Sequence, residues 1–238
     1  VVGEILVKFH PTANNDMVNV IEKEGAECVM PDLMDFVFYT MATSKFRTEE
    51  LAFGKKELRK GKLIISFLNL YRRYMIKCLK KSRRFDYPVN IWKMQKTVEG
   101  IVQLGNISGE GWFLTAEMIE LIHSGAPSIA CVQPFACLPN HITGKGMIKE
   151  LRRKFPEANI SAIDYDPGAS EVNQLNRLKL LLSNAPVGKN PDEMKNGKIW
   201  TKNGPVEPVV QFASGGNQFV DTDPVDSKNS VPAQTAEL

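Results

Sequence analysis

Two thiols and a histidine lie close together in the run Cys131-Val-Gln-Pro-Phe-Ala-Cys137-Leu-Pro-Asn-His141. The apolar residues 128–132 are typical of a short buried strand, and Gln133-Pro134 ends it. Cys137 is therefore predicted to lie on the loop after a strand. In an open α/β sheet such loops lie beyond the carboxyl ends of strands, where these folds bind ligands. An accessible thiolate there can ligate a metal ion or an iron–sulfur cluster.

The other cysteines have simpler interpretations. A single cysteine is most often a small buried hydrophobe, and Cys131 and Cys28 both fall in apolar runs that read as strands. Cys78 lies among lysines, which can lower a thiol pKa, but packing on a helix face explains it equally well. For Cys137 as well, a small buried hydrophobe is the more common role of a single cysteine, and its predicted loop position is what makes it a candidate ligand.

Three polar residues are candidates to line a pocket with Cys137. His141 follows it at Cys-x-x-x-His spacing, but no second pair follows at zinc-ligand spacing, so we expect His141 to bond backbone or to enter a shared pocket. Asn140 precedes His141 on the same segment. His10 ends a predicted first strand, at the sheet edge where the Cys137 loop is expected.

The N-terminal half predicts one β-α-β unit. Residues 4–9 read as a strand, residues 16–24 as a helix and residues 28–30 as a second short strand. Residues 33–43 are expected to form a helix against the sheet, and residues 49–81 one or two amphipathic helices.

The C-terminal half predicts a second such unit. Strands at 128–132 and 159–163 flank a helix at 143–155, and a last helix covers 171–183. The two units give an α/β fold with an open, mostly parallel, Rossmann-like sheet of about four strands and helices on both faces. This domain is expected to span residues 1–185, and residues 186–238 to form a poorly ordered or loosely attached tail.

Charge is concentrated in one segment. Between Lys55 and Arg84 there are twelve Lys or Arg and one acid, so the segment carries +11 and the rest of the chain −8. Such a segment can seek an acidic partner, but it lacks the aromatic platform of single-strand binders, and we expect no nucleic acid partner. No apolar run reaches the length of a membrane span, and the four irregularly spaced cysteines favour a reducing cytoplasm.

Several segments follow one another in a recognisable order: Gly3-Glu-Ile-Leu-Val-Lys-Phe-His10, Ala13-Asn-Asn15, Gly109-Glu-Gly-Trp112, Thr115-Ala-Glu117, Cys137-Leu-Pro-Asn-His141, Gly144-Lys-Gly146 and Ile163-Asp-Tyr-Asp-Pro-Gly-Ala-Ser-Glu-Val-Asn-Gln-Leu-Asn-Arg177. Together they resemble the C-terminal part of the large activase-related proteins of the 2-hydroxyacyl-CoA dehydratase family. The resemblance covers about residues 2–183 and leaves out the tail.

In that family, an ATP-hydrolysing activator passes a low-potential electron to a dehydratase component through 4Fe–4S clusters held by cysteines from several domains. The resemblance implies that Cys137 donates one thiolate to such a cluster, that ligands outside this chain complete it, and that Asn140, His141 and His10 shape the pocket. Other domains of the same polypeptide or dehydratase subunits are the expected partners, and an acyl-CoA is a candidate ligand.

Two hypotheses remain open at this point. The family's ATP-binding motifs are absent from this sequence, so the first hypothesis is one electron-transfer domain of a larger system, without activity alone and without an assignable catalytic residue. The second is a non-catalytic α/β scaffold that docks a partner through the basic segment 55–84.

Overall fold

The computed structural model describes residues 1–82 and 87–185, together with the backbone of four short strands in the C-terminal segment. The regular elements of the first two ranges are, in chain order, β1 (Val2–Gly3), α1 (Ile5–Phe9), α2 (Met17–Lys23), α3 (Leu33–Glu50), α4 (Lys55–Ser82), α5 (Ile91–Thr97), α6 (Gly111–His123), β2 (Ser128–Gln133), α7 (Leu138–Thr143), a 3-10 turn (Lys145–Met147), α8 (Ile148–Lys154), β3 (Asn159–Asp164) and α9 (Glu171–Ser183).

The chain is a mixed α/β fold around a small, open, parallel sheet. Its three strands have the order β1-β2-β3, with Val2 opposite Cys131 and Ser128 opposite Asn159. Because side chains alternate along a strand, β2 feeds two separate cores. Ile129 and Cys131 belong to one apolar cluster, and Ala130 and Val132 to the other.

Helices cover both faces of the sheet. The larger cluster is built by residues of α3 to α6 and α8, and the smaller by residues of α1, α2 and α9. Helix α6 is the most buried element, with Trp112, Phe113 and Leu114 each almost fully removed from solvent. The prediction of an α/β fold with helices on both faces is confirmed.

The predicted strand over residues 4–9 is wrong. The strand ends at Gly3, and the Glu4 carboxylate then caps α1 by accepting the Val7 N–H at 2.8 Å. The apolar run resembled a strand, but Leu6 faces solvent and Val7 is buried, and the charged Lys8 is buried as well. A run in which apolar and polar residues do not alternate strictly, and which follows a capping residue, favours a helical turn.

The predicted strand over residues 28–30 does not form either. Cys28 and Met30 pack against the smaller cluster from irregular backbone, and Val29 is largely exposed. The first β-α-β unit is therefore replaced by β1 followed directly by two short helices. As a result, the parallel sheet of residues 1–82 and 87–185 has three strands instead of about four.

The C-terminal half follows the prediction more closely. The strands β2 and β3 and the helix α9 lie where the sequence places them, with the Ser170 hydroxyl capping α9 by accepting the Asn173 N–H. The expected helix over 143–155 corresponds to the 3-10 turn and α8, and a separate short helix, α7, forms before Gly144 in the stretch that was predicted as a loop.

Most of the predicted tail, residues 186–238, lies outside the described residues. The described backbone there forms two antiparallel pairs, β4 (Ile199–Thr201) with β5 (Gly204–Val206) and β6 (Val210–Ala213) with β7 (Gly216–Phe219). In the part of the chain that the structure describes, no helix combines the length and the apolar character needed to cross a membrane.

Candidate functional site

The site is built at the carboxyl ends of β1 and β2, which are neighbours in the sheet. The loop 134–137 follows β2, and Cys137 is at once its last residue and the N-cap of α7. Ala136 adopts a left-handed conformation, with φ of 62°, to make this turn. A non-glycine residue there carries a conformational cost, which the contacts around the loop must offset.

Asn140 is the nearest polar partner of the Cys137 thiol. Its Nδ2 donates to Cys137 Sγ at 3.1 Å and to Glu110 Oε2 at 2.8 Å. Asn140 is fully buried and Cys137 is partly buried. The structure therefore places Asn140 beside Cys137, and its part in a ligand pocket stays a prediction.

Glu110 connects the thiol to the start of the chain. It is 5% exposed, and its Oε1 accepts the Ile5 N–H at 3.3 Å while Oε2 accepts from Asn140. Glu110 also lies directly before α6, where a carboxylate interacts favourably with the helix dipole. One carboxylate thus joins the first turns of α1 and α7 at the N-terminus of α6.

His141 fixes the backbone of Cys137. Its Nδ1 lies 3.0 Å from the Cys137 carbonyl oxygen, which can only accept, so Nδ1 carries the proton in this contact. The ring also makes an edge-to-face contact with Phe135, at 6.1 Å between centroids. The remaining nitrogen, Nε2, is then left as a potential acceptor or ligand.

Two aspartates, one at the end of β3 and one just after it, hold the other side of the loop. The Asp166 carboxylate accepts the Phe135 N–H, with both oxygens at 3.0 Å. Asp164 accepts from the buried Gln133 amide at 3.0 Å and pairs with Lys145 at 3.4 Å. These carboxylates therefore position the loop.

The structure places His10 apart from this group. It is exposed and follows the last turn of α1, whose first turn contacts Glu110. His10 was expected at the end of a strand, and that expectation fails because the segment is helical. Among the described contacts, none joins the His10 ring to Cys137, Asn140 or His141.

The remaining cysteines have different environments. Cys131 is fully buried, and burial raises the pKa of its thiol to about 12. Burial also raises the pKa of the half-buried Cys28. Cys78 is exposed on α4. The sequence prediction that Cys131 and Cys28 are packing residues agrees with these positions.

The donor set fits one ligand position of a cluster. Cys137 lies at the carboxyl edge of the sheet and is partly buried, yet no group of three or more His, Cys, Asp or Glu in the described ranges could hold a metal ion. A 4Fe–4S cluster takes thiolates that converge on it, commonly four. The described residues could therefore contribute to a cluster but do not complete one.

Sequence reasoning missed two carboxylates near the site. Glu110 appeared only within the segment Gly109-Glu-Gly-Trp112, and no local pattern marked its carboxylate as a site residue. Glu117 forms a 2.8 Å ion pair with Lys8, and both side chains are almost fully buried. Burial raises the Glu117 pKa, and Lys8 opposes this shift.

Comparison with known proteins assigns no family to the chain. No family model matches the chain, and neither the curated proteins nor the solved structures contain a match to it.

Proposed function

We propose that this chain is an iron–sulfur-linked domain of an activase-related protein of the 2-hydroxyacyl-CoA dehydratase family. In this role it supports low-potential electron transfer toward dehydration or reduction of a CoA ester. The proposal includes a Rossmann-like fold for the sheet. The site lies at the carboxyl ends of its strands. The ordered set of motifs between Gly3 and Arg177 supports the family, and Cys137 at that edge supports the ligand.

The observation that carries the proposal is the environment of Cys137. Its sulfur is half-buried, accepts a hydrogen bond from Asn140 and lies at a loop held by Asp166 and His141. A sulfur that is preorganised in this way needs little rearrangement to ligate iron. Hydrogen bonds to ligand sulfur also tune the reduction potential of a cluster, so Asn140 is the residue placed to do so.

Cys137 would hold the cluster, and the other thiolates would come from outside this chain. The cluster, when bound, supplies one-electron transfer. The chain's own residues supply the support: Glu110 orients the Asn140 amide toward the sulfur, and His141 fixes the carbonyl of the same cysteine. An acyl-CoA or a dehydratase subunit would approach the exposed side of this loop.

A pair of cysteine variants tests the proposal. We expect Cys137→Ser to lower the iron and acid-labile sulfide content of the complete, anaerobically purified assembly, because a ligand is lost. The expected loss is at least half of the iron and sulfide that one cluster contains. Cys28→Ser is the matched control, since Cys28 is also half-buried but packs against the smaller core. Equal losses in the two variants, or unchanged visible spectra in both, would remove Cys137 as a ligand.

A further inference from the structure

Helix α4 uses only one face to join the rest of the fold. Gly61 lies against α3 so closely that an added methyl group would fall 2.8 Å from the Met41 carbonyl oxygen. Ile65 is buried one turn later, and Arg72 pairs with Asp32 at 2.6 Å and Asp35 at 3.1 Å. Gly61, Ile65 and Arg72 therefore mark the inner face of α4.

The opposite face of α4 carries large apolar side chains in solvent. We call the set Leu63, Phe67, Leu70, Tyr71 and Tyr74 the α4 stripe, and their exposed fractions are 71%, 66%, 60%, 83% and 78%. At 3.6 residues per turn they occupy a sector of roughly 100° that points away from Ile65. In the described ranges no element packs over this set. Contiguous apolar surface of this kind marks an interaction site.

The spacing of the stripe indicates what covers it. Leu63, Phe67, Leu70 and Tyr74 follow one another at steps of four, three and four residues. This is the a/d spacing with which one helix packs knobs into the holes of another. The stripe is about 16 Å long, or three turns, at 1.5 Å per residue.

Charge restricts the partner further. The helix face that carries the α4 stripe continues into Lys60 at one end and into Lys77 and Lys81 at the other. In all, α4 holds ten basic residues and one acid, Glu57. Glu57 offsets little of this charge, because its contact with Lys60 is long, at 3.9 Å, and exposed. A second copy of α4 would bring lysines against lysines in either orientation, which disfavours self-association.

We propose that the α4 stripe docks an amphipathic α-helix of another domain or protein, with apolar residues at heptad spacing and Asp or Glu beyond both ends of its apolar seam. A bilayer surface also receives the apolar face of a basic amphipathic helix, so binding to vesicles is one of the outcomes that the test below separates. This docking site lies on a different element from Cys137 and does not rest on the iron–sulfur proposal.

A synthetic helical peptide tests the docking site. Its design has about four heptads, Leu at the a and d positions of the central turns and Glu around them. The labelled peptide is titrated with the full 238-residue chain and followed by fluorescence anisotropy. We expect saturable binding, weakened about tenfold or more when Lys replaces Glu in the peptide, because electrostatic complementarity is lost.

Variants of the chain locate the binding. The double variant Phe67→Ser with Leu70→Ser should weaken peptide binding about tenfold or more, because it removes the centre of the stripe. Val172→Ser with Leu180→Ser is the matched control, since these α9 residues are similarly exposed, at 64% and 63%, and binding should stay within about twofold. Both variants should melt like the parent chain, since all four side chains face solvent.

Several results would overturn the proposal. These are no saturable binding of the acidic peptide, equal binding to both double variants, or equal binding of the acidic and basic peptides. A dimer in light scattering that the Phe67 and Leu70 substitutions dissociate would assign the stripe to a second copy. Binding to phosphatidylcholine vesicles with about one-third phosphatidylglycerol, lost in the same variant, would assign it to a membrane.

Discussion

The Cys137 thiol has polar partners that other described cysteines lack. Asn140 donates to its sulfur, and Glu110 accepts from the same amide. Cys131 is enclosed in the larger core, where the neutral thiol is favoured and the pKa rises to about 12. The difference in environment, and not the residue type, separates the candidate ligand from a packing residue.

Alkylation of the isolated chain should distinguish these thiols. At pH 8 with iodoacetamide, we expect Cys131 to react at least about 100-fold more slowly than the exposed Cys78, because it is buried and un-ionised. Cys137 should react readily, because it is half-exposed. Mass spectrometry of timed, quenched samples gives each rate. Labelling of Cys131 at the rate of Cys78 would show that the larger core opens at β2.

Around Cys137, the sequence predicted only the side chains that lie close to it in the chain. Asn140 and His141 could be placed near Cys137 because they follow it closely in the chain, and the structure adds the helical turn of α7 that brings them together. Glu110 could not, because it lies 30 positions from Asn140, and only the packing of α6 against α7 joins them. His10 was misplaced because a five-residue helix replaced the strand on which its position depended.

Among the helices, α7 packs closely against α6 because Gly144, which follows α7, has no side chain. A methyl group at this glycine would lie 2.6 Å from the Asn140 carbonyl oxygen, 2.8 Å from Leu114 Cδ2 and 3.0 Å from Cys131 Sγ. The glycine therefore fixes how near the Cys137 helix comes to the core. The sequence alone could not show this role, because a close approach depends on neighbours distant in the chain.

Gly144→Ala should lower the free energy of unfolding by about 2 kcal/mol or more, because an added methyl would overpack a buried contact. Gly168→Ala is the control, since a methyl group there would have nothing within 4 Å and the φ of Gly168 is ordinary; we expect a change within about 0.5 kcal/mol. Urea unfolding of the two variants beside the parent chain measures both values. Equal urea midpoints for the two variants would mean that α7 moves to accommodate the methyl group without a loss of stability.

For the whole molecule, the two cores meet at the sheet, where β2 and β3 each contribute residues to both clusters. Residues of β2 enter both apolar clusters, and β1 and β3 lie on either side of it. Among the described residues, the members of the two clusters lie between Val1 and Leu182. The boundary near residue 185 is predicted from the sequence, because the amphipathic pattern of α9 ends there, and it stays a prediction.

Removal of residues 186–238 should leave cooperative unfolding intact, with a free energy of unfolding within about 1 kcal/mol of the full chain, because both clusters remain. Thermal and urea unfolding of chain 1–185 give the comparison. A broad, non-cooperative transition in the shortened chain would show that the tail contributes to the core.

We propose that Cys137 becomes an iron ligand only in the complete assembly. The most direct measurement is alkylation of Cys137 in that assembly, purified anaerobically with its iron, before and after a chelator removes the metal. We expect Cys137 to be protected while the cluster is bound and to react once iron is gone, because a ligated thiolate is not free to attack. The exposed Cys78 reports whether the reagent reaches the protein in both states. Equal labelling of Cys137 with and without iron would contradict the account.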